Sequence, residues 1–184
     1  MKRRAVFLDL NGTLVLPIKP DSLDDLTLIE GVSEAIARLS RACFLCPVVT
    51  IQSRIAKGLF SLDEFLRWFA ELSARLRNSG AEIVGPYVCP HPFSELCACK
   101  KPSTLLYEQA ASEHGIDLRR SFVIGDSADD MVAALRFGGL GCLVRTGWAN
   151  DPNELKRAAP HASFMAESFG EAVNWILNQA NGTS

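Results

Sequence analysis

Short apolar runs alternate along this chain with longer amphipathic stretches, and this alternation restricts the fold more than any other feature of the sequence. The apolar runs predict strands at residues 5–9, 48–50, 82–88, 121–124 and 142–144, with an edge strand at 163–165. Such alternation is typical of a parallel sheet with helices on both faces. It predicts an α/β, doubly wound, Rossmann-like three-layer sandwich with a mostly parallel sheet.

Helix signals fill the intervals between these runs. Ser61 with Glu64, and Ser168 with Glu171, have the spacing of capping boxes, and they predict helices over about 62–78 and 169–178. Amphipathic stretches predict shorter helices near 32–41, 104–114 and 128–137. A loop and a helix take up most of residues 14–31 and 56–82, so we expect no large cap domain and an open site.

Composition and charge limit the function classes. The 184 residues, 48% of them apolar, suit one domain over 1–184, with a frayed tail at 179–184. A formal charge of −2 without a basic stripe argues against a nucleic-acid partner. Without an apolar run of membrane length or a secretory signal, we expect a cytoplasmic protein that binds no membrane, as a monomer or small homo-oligomer.

Four soft metal ligands lie close together in the middle of the chain. Cys89, His91, Cys97 and Cys99 flank a segment with two prolines, Pro90 and Pro92, which cannot be helical throughout. Three thiolates and one imidazole are a usual closed, tetrahedral set for structural Zn²⁺. We therefore predict a zinc-binding loop over about 89–99.

The remaining cysteines and histidines have no such neighbours. Cys43, Cys46 and Cys142 lie in or beside apolar runs, which predicts buried small side chains. His114 and His161 are predicted to be surface residues.

Polar side chains follow the predicted strands where the strands end. Asp9 follows the first, Thr50 ends the second, and Gly125-Asp126 follows the fourth; Lys101 lies at a helix start, and Asp130 lies one helical turn after Asp126. The carboxyl ends of parallel strands share one edge of the sheet, so these groups should converge. Asp9 and Asp126 would bind Mg²⁺ through oxygen, while Thr50 and Lys101 would hold phosphate oxygens. The turn at Gly12 and Thr13 could add backbone N–H groups for an anion.

Together these four motifs resemble those of the haloacid dehalogenase-like (HAD-like) phosphohydrolases, from Ala5 to about Gly147. The Cys-x-His loop with Cys97-Ala98-Cys99-Lys100-Lys101-Pro102 is similar to the subfamily that includes heptose bisphosphate and histidinol-phosphate phosphatases. Val49-Thr50-Ile51-Gln52-Ser53 and Val144-Arg145-Thr146-Gly147 resemble the same subfamily.

The resemblance implies roles for individual residues. Asp9 would be the nucleophile that forms an aspartyl-phosphate, and Lys101 would neutralise the phosphate. Mg²⁺ would be held by Asp9, the backbone carbonyl of Asn11 and Asp126, with Asp130 in support. Asp129 has no counterpart and is expected to face solvent.

Asn11 departs from the family pattern, in which a second aspartate protonates the leaving group and later deprotonates water. An amide does neither. Three explanations stay open: an introduced aspartate-to-asparagine change, a natural slow phosphatase or one that uses another acid, and a phosphate-binding or regulatory protein.

The substrate-binding residues implied by the resemblance are Gln52, Ser53, Arg54 and Lys100. Lys100 stands where relatives often have arginine, and Ser103-Thr104-Leu105-Leu106 replaces their Pro-Gly-Met. A lysine attracts a second phosphate or a carboxylate only as a point charge. Arg54, where relatives commonly have glycine, either reads an anionic part of the substrate or is a solvated surface residue.

The leading hypothesis is a Mg²⁺-dependent phosphate monoester hydrolase of carbohydrate metabolism with structural zinc. Its substrate would be a small phosphorylated metabolite of the sugar bisphosphate or histidinol-phosphate type. A phospholigand-binding protein of the same fold is the alternative, and a phosphotransferase is a third hypothesis.

Overall fold

The computed structural model of the protein describes residues 2–181. Its strands are β1 (Val6–Leu8), β2 (Val15–Leu16), β3 (Thr27–Leu28), β4 (Pro47–Ile51), β5 (Val84–Cys89), β6 (Phe122–Gly125), β7 (Leu140–Val144) and β8 (Phe164–Ala166). Six of these strands form a sheet in the order β5-β4-β1-β6-β7-β8, and each neighbouring pair is parallel. The predicted α/β fold with a doubly wound parallel sheet is confirmed.

Within residues 2–181, seven α-helices pack around the sheet. They are α1 (Val32–Arg41), α2 (Ser53–Ala56), α3 (Leu62–Asn78), α4 (Leu105–His114), α5 (Ala128–Phe137), α6 (Pro152–Ala158) and α7 (Phe169–Asn181). Ser61 and Glu64 form the predicted capping box at the start of α3. The five helices predicted from the sequence are all present, with ends within three residues of those expected.

The strands bury side chains on both faces of the sheet, because successive side chains point to opposite faces. Val6 and Leu8 belong to the core under α1, α3 and α7, whereas Phe7 belongs to the core under α4 and α5. Both faces are therefore covered, as the short continuous apolar runs predict.

Several short elements were missed. β2 and β3 form an antiparallel hairpin after β1, and α2 follows β4. The seven-residue α6 was also missed, although Asp151 caps it and Pro152 begins it, which is a usual start signal. Within residues 2–181, the segments 14–31 and 56–82 form no separate cap domain.

Three expectations need correction. Cys43 is exposed, because it lies in the turn after α1 with a positive φ of 62° while Phe44 fills the core. His114 is half-buried against the edge of the Tyr87 ring, whereas His161 is exposed as predicted. In the predicted frayed tail, 179–181 continue α7, and 182–184 lie outside the described residues.

Candidate active site and metal centre

The polar residues at the strand ends meet in one cavity of about 470 Å³. Asp9 enters it from the end of β1, Thr50 from β4, and Asp126 from the turn after β6. Lys101 and Asp130 also line it. The sheet order explains the convergence, since β4, β1 and β6 are adjacent and parallel.

Three carboxylates and one ammonium form the floor of the cavity. Oxygens of Asp9, Asp126 and Asp130 lie within 4.8 Å of one another. Lys101 Nζ donates to Asp9 Oδ1 at 2.6 Å and to Asp130 Oδ1 at 2.7 Å. All four side chains are buried or nearly so.

The charges in this cluster do not balance. Burial raises the pKa of Asp9 to about 6, with Lys101 opposing the shift and Asp130 adding to it. The pKa of Asp126 lies well above its usual value because of burial, followed by repulsion from Asp9 and Asp130. Burial lowers the pKa of Lys101, but Asp130 and Asp9 outweigh it and hold that pKa above its usual value. A divalent cation with oxygen ligands would offset the excess negative charge, so the donor set fits Mg²⁺.

Asp126 is fixed by its surroundings. The backbone N–H of Trp148 donates to Asp126 Oδ2 at 2.7 Å. Gly12, at a φ of 92°, and Gly147 press against the same carboxylate, and a Cβ on either glycine would overlap it. The two glycines therefore let the backbone approach a buried carboxylate closely.

Asn11 is held in a small hydrogen-bond network with Thr50. Gln52 Nε2 donates to Asn11 Oδ1 at 2.7 Å and to Thr50 Oγ1 at 3.0 Å. Because Thr50 Oγ1 accepts from Gln52, its own proton is free to point at a phosphate oxygen. Gln52 is predicted to bind substrate. It is only 2% exposed, and its side chain contacts those of Asn11 and Thr50.

The backbone N–H groups of Gly12 and Thr13, in the turn after Asp9, are bonded within the turn. Gly12 N donates to Val15 O at 2.8 Å, and Thr13 N donates to Leu10 O at 3.3 Å. Both N–H groups therefore stabilise the turn itself. The expectation that Gly12 and Thr13 offer N–H groups to an anion is corrected.

The predicted zinc ligands cluster at the end of β5. Cys89 Sγ lies 3.0 Å from Cys99 Sγ and 3.5 Å from Cys97 Sγ, and His91 Nδ1 lies 3.2 Å from Cys99 Sγ. Tetrahedral coordination at a Zn–S distance of about 2.3 Å separates sulfurs by about 3.8 Å. The cysteines form no disulfide, and their sulfur–sulfur distances are close to those of a tetrahedral zinc site. The four residues therefore fit a closed zinc site.

The two adjacent lysines point to different places. Lys101 lies among the carboxylates, whereas Lys100 Nζ donates to the carbonyls of Pro92, Phe93 and Glu95 at 2.8, 3.0 and 2.6 Å. Lys100 does not line the cavity. Its geometry does not support the predicted role in substrate binding, because all three ammonium protons are used by carbonyls of the loop over 89–99.

The outer wall of the cavity carries further cations. Arg54, from α2, is 18% exposed at its side chain, and its ion pair with the exposed Asp21 is long, at 3.8 Å. Ser53, the first residue of α2, also lines the cavity. Sequence reasoning missed Lys19 and Lys57, and no strand-end signal marks them. Lys19 Nζ lies 4.3 Å from the centre of the Trp148 ring, and both residues line the cavity.

Asp129 does not face solvent as expected. It is half-buried and lines the cavity together with Glu154 and Arg157 of α6. Burial, followed by the charge of Asp130, raises its pKa. The missed helix α6 therefore forms one side of the site.

Comparison with known proteins identifies the family. The HAD-hydrolase-like family model matches residues 98–172. The D-glycero-beta-D-manno-heptose-1,7-bisphosphate 7-phosphatase of Yersinia pestis is 37% identical over 152 residues, covering 78% of this chain and 81% of that protein. The chain belongs to the HAD-like hydrolase family. A second HAD-like relative, the D-glycero-D-manno-heptose-1,7-bisphosphate 7-phosphatase of Thermosynechococcus vestitus, is 34% identical over 191 residues and covers 96% of each chain.

Solved structures agree with this membership. The crystal structure of D,D-heptose 1,7-bisphosphate phosphatase from B. bronchiseptica, complexed with magnesium and phosphate, has a TM-score of 0.86 and 27% identity. The match covers 96% of this chain and 99% of that chain. The predicted resemblance to HAD-like phosphatases is confirmed.

Among residues 2–181, no helix is both long and apolar enough to cross a bilayer.

Proposed function

We propose that this protein is a Mg²⁺-dependent phosphatase that works through an aspartyl-phosphate on Asp9. The observation that carries the proposal is the buried cluster of three carboxylates around one ammonium, with an excess of negative charge at the floor of a cavity. Relatives named as phosphatases support the same reaction class. A purely structural ion-pair network could also bury these charges, but such a network would not need to line a cavity.

In the first step, a carboxylate oxygen of Asp9 attacks phosphorus, and the bond from phosphorus to the leaving oxygen breaks. Lys101, already bonded to Asp9 Oδ1, compensates the negative charge that gathers on the phosphoryl oxygens. The hydroxyl of Thr50 donates to one of these oxygens. In the second step, water attacks the aspartyl-phosphate, which releases phosphate and restores the Asp9 carboxylate.

Asp9, Asp126, Asp130 and the backbone carbonyl of Asn11 would hold Mg²⁺. When bound, this cation supplies charge neutralisation at the phosphoryl group and orients it. The cluster fits such an ion because its ligands are hard oxygens and because burial, together with repulsion between the carboxylates, raises the pKa of Asp9 and Asp126 although Lys101 opposes the rise.

Asn11 determines how fast the reaction runs. Its side-chain oxygen is occupied by Gln52 at 2.7 Å, and an amide neither donates a proton to a leaving alkoxide nor accepts one from water. Loss of one general acid–base lowers the rate about 10²–10⁴-fold. We therefore infer a slow phosphatase, least impaired with substrates whose leaving group needs no proton.

A sugar bisphosphate is the substrate class that the cavity fits best. Lys101 and Thr50 would hold the phosphate that is cleaved, and Arg54, Lys57 and Lys19 surround the outer cavity, where a second anionic group would lie. Arg54 is suited to this role because, within residues 2–181, it makes one ion pair, a long one to the solvent-exposed side chain of Asp21. The heptose 1,7-bisphosphates named for the relatives are the first compounds to test.

We further propose that Zn²⁺ is structural, bound by Cys89, His91, Cys97 and Cys99. Four protein ligands leave no position open for water. Two links join this loop to the cavity. Gln52 N donates a hydrogen bond to Cys89 O at 2.8 Å. Lys100 donates hydrogen bonds to carbonyls of the loop and immediately precedes Lys101. The zinc loop would therefore fix Gln52 and Lys101.

A phospholigand-binding protein is the second candidate, and Asn11 is the observation in its favour. Asp9, Thr50 and Lys101 would bind a phosphorylated ligand whether or not it is turned over. The two candidates differ in whether phosphate is released.

The deciding experiment compares the native chain with Asn11→Asp. Phosphate release is measured with Mg²⁺ from heptose bisphosphate, histidinol phosphate and an activated aryl phosphate. We expect release from one metabolite to rise about 10²-fold or more in Asn11→Asp, because the missing proton-transfer group is restored. If neither chain releases phosphate while both bind phosphorylated ligands, the binding protein is the correct assignment.

A further inference from the structure

The first turn of α5 carries two of the three clustered carboxylates on either side of one backbone group. Asp126 lies two residues before Ala128, and Asp130 lies two residues after it. Ala128 is the first residue of α5, so its N–H has no carbonyl partner within the helix. Whatever accepts this N–H holds the helix start, and thereby both carboxylates, in place.

That acceptor is Glu154 of α6. Glu154 Oε1 accepts from Ala128 N at 2.7 Å, and the Glu154 side chain is only 15% exposed. Its other oxygen, Oε2, accepts from Arg157. Each carboxylate oxygen therefore already accepts a hydrogen bond, and the charge of Glu154 is paired with Arg157, so the residue is placed to orient its neighbours.

The chain around Glu154 is itself anchored. Asp151 Oδ1 accepts from Asn153 N at 2.8 Å and from Glu154 N at 3.1 Å, which fixes the first turn of α6. Ala149 and Ala158, before and at the end of this helix, are fully buried in the same core as Ala128. The segment thus forms a rigid support against α5.

The same segment holds Asp126 from a second direction. Trp148 N donates to Asp126 Oδ2 at 2.7 Å, while Glu154 accepts from Ala128 two residues along. Two hydrogen bonds therefore join residues 148–154 to residues 126–128, and each segment donates one and accepts the other. The remaining carboxylate is tied to the same turn, because Ser127 Oγ donates to Asp130 Oδ2 at 2.5 Å.

We propose that Glu154 is a positioning residue for the cation site: it sets the orientation of Asp126 and Asp130 through the N–H of Ala128. The proposal rests on the proposed Mg²⁺ site and extends it to a residue outside the proposed ligand set. Groups that orient metal ligands affect affinity through geometry, and their loss weakens metal binding about 10–100-fold.

The test measures binding of Mn²⁺ alone, as a substitute for Mg²⁺, to the 184-residue chain after it has been loaded with Zn²⁺. Glu154→Gln keeps an oxygen for Ala128, Glu154→Ala removes it, and Glu154→Asp keeps the charge but is too short to reach. We expect Glu154→Ala and Glu154→Asp to weaken Mn²⁺ binding on the order of 10-fold. Glu154→Gln should retain the native affinity, because geometry and not charge is the requirement.

Two controls separate this role from general stability. Glu167→Ala removes an exposed glutamate that pairs with Arg145 at 2.9 Å, and it should leave Mn²⁺ affinity unchanged. Asp126→Ala should abolish binding at this site. If Glu154→Ala does not fold, Glu154→Asp alone decides the question.

Three results would overturn the proposal. One is native Mn²⁺ affinity in Glu154→Ala or Glu154→Asp with only a lowered melting temperature, which would mean a merely structural contact. Another is a loss in Glu154→Gln as large as in Glu154→Ala, which would mean that charge is the cause. If the native chain itself binds no Mn²⁺, the proposed cation site fails, and the role of Glu154 fails with it.

Discussion

The two candidate metal sites of this protein are built in opposite ways. The carboxylate cluster takes its side chains from residues up to 121 positions apart, Asp9 and Asp130, each at the end of an element whose body is buried in the core. The thiol–imidazole cluster takes all four ligands from residues 89–99, in a loop whose Phe93 and Leu96 are largely exposed. The carboxylate cluster is therefore positioned by the fold of the whole domain. The thiol–imidazole cluster lies in a local loop with little hydrophobic core of its own.

This difference indicates what each metal does for the protein. The carboxylates are held by hydrogen bonds from Trp148 and Lys101 and by the close packing of the glycines around Asp126, and their mutual repulsion favours a divalent cation. The loop over 89–99 has the Lys100 hydrogen bonds and the four proposed zinc ligands, and its Phe93 and Leu96 are largely exposed. We expect Zn²⁺ to contribute to folding of its loop and Mg²⁺ to contribute to catalysis.

The largest effect is expected from Lys101→Met. The change removes the ammonium between two buried carboxylates and keeps a chain of similar length. Turnover with Mg²⁺ should fall about 10²–10³-fold, as when a group that stabilises the transition-state charge is lost. Phosphate release under saturating substrate measures this effect, with the exposed Lys156→Met as the matched control. Turnover close to that of the native chain would exclude Lys101 from the reaction.

A smaller effect on turnover, but a clear one on stability, is expected from Cys99→Ser. Loss of one ligand should release Zn²⁺ and unfold the loop. A loss of about 2 kcal/mol corresponds to roughly 4–8 °C in the melting temperature of a domain of this size. Calorimetry with a zinc assay measures both quantities. Cys43→Ser is the control, because Cys43 is exposed and outside the cluster, and it should change neither.

Lys100→Met should have the smallest effect of the three. The variant loses three hydrogen bonds to loop carbonyls, so a chelator should remove Zn²⁺ faster, while turnover at saturating substrate stays within about tenfold of native, less than the loss of a general acid–base. Rates of zinc release and of phosphate release are compared in the same preparation. If turnover falls as far as in Lys101→Met while zinc release is unchanged, Lys100 belongs to the active site after all.

The sequence predicts the sheet and the strand-end residues well, for a physical reason. Buried parallel strands need continuous apolar runs, and a charged residue directly after such a run, such as Asp9 or Asp126, has to lie at the strand end. The zinc ligands are predictable for a similar reason, since all four are local in sequence. Their roles as ligands stay predictions.

Other parts of the site depend on tertiary contacts that leave no periodic signal. The direction of Lys100 is set by three carbonyls of a folded loop, and the burial of Asp129 is set by α6. The α6 start signal, Asp151 followed by Pro152, is present in the sequence, but its packing against α5 is not. Cys43 shows the same limit, because one turn residue with a positive φ directs its side chain to solvent.

The most direct test of the central claim is a rapid-quench reaction of the native chain with an activated aryl phosphate and Mg²⁺, followed by mass mapping of the peptides. Such a leaving group needs no proton, so the first step should be fast, while Asn11 leaves hydrolysis slow. We predict a burst of aryl alcohol and a phosphoryl group on the peptide that contains Asp9, with a faster steady rate in Asn11→Asp and no burst in Asp9→Asn. Absence of any phosphoryl group on that peptide in both the native chain and Asn11→Asp would contradict the account.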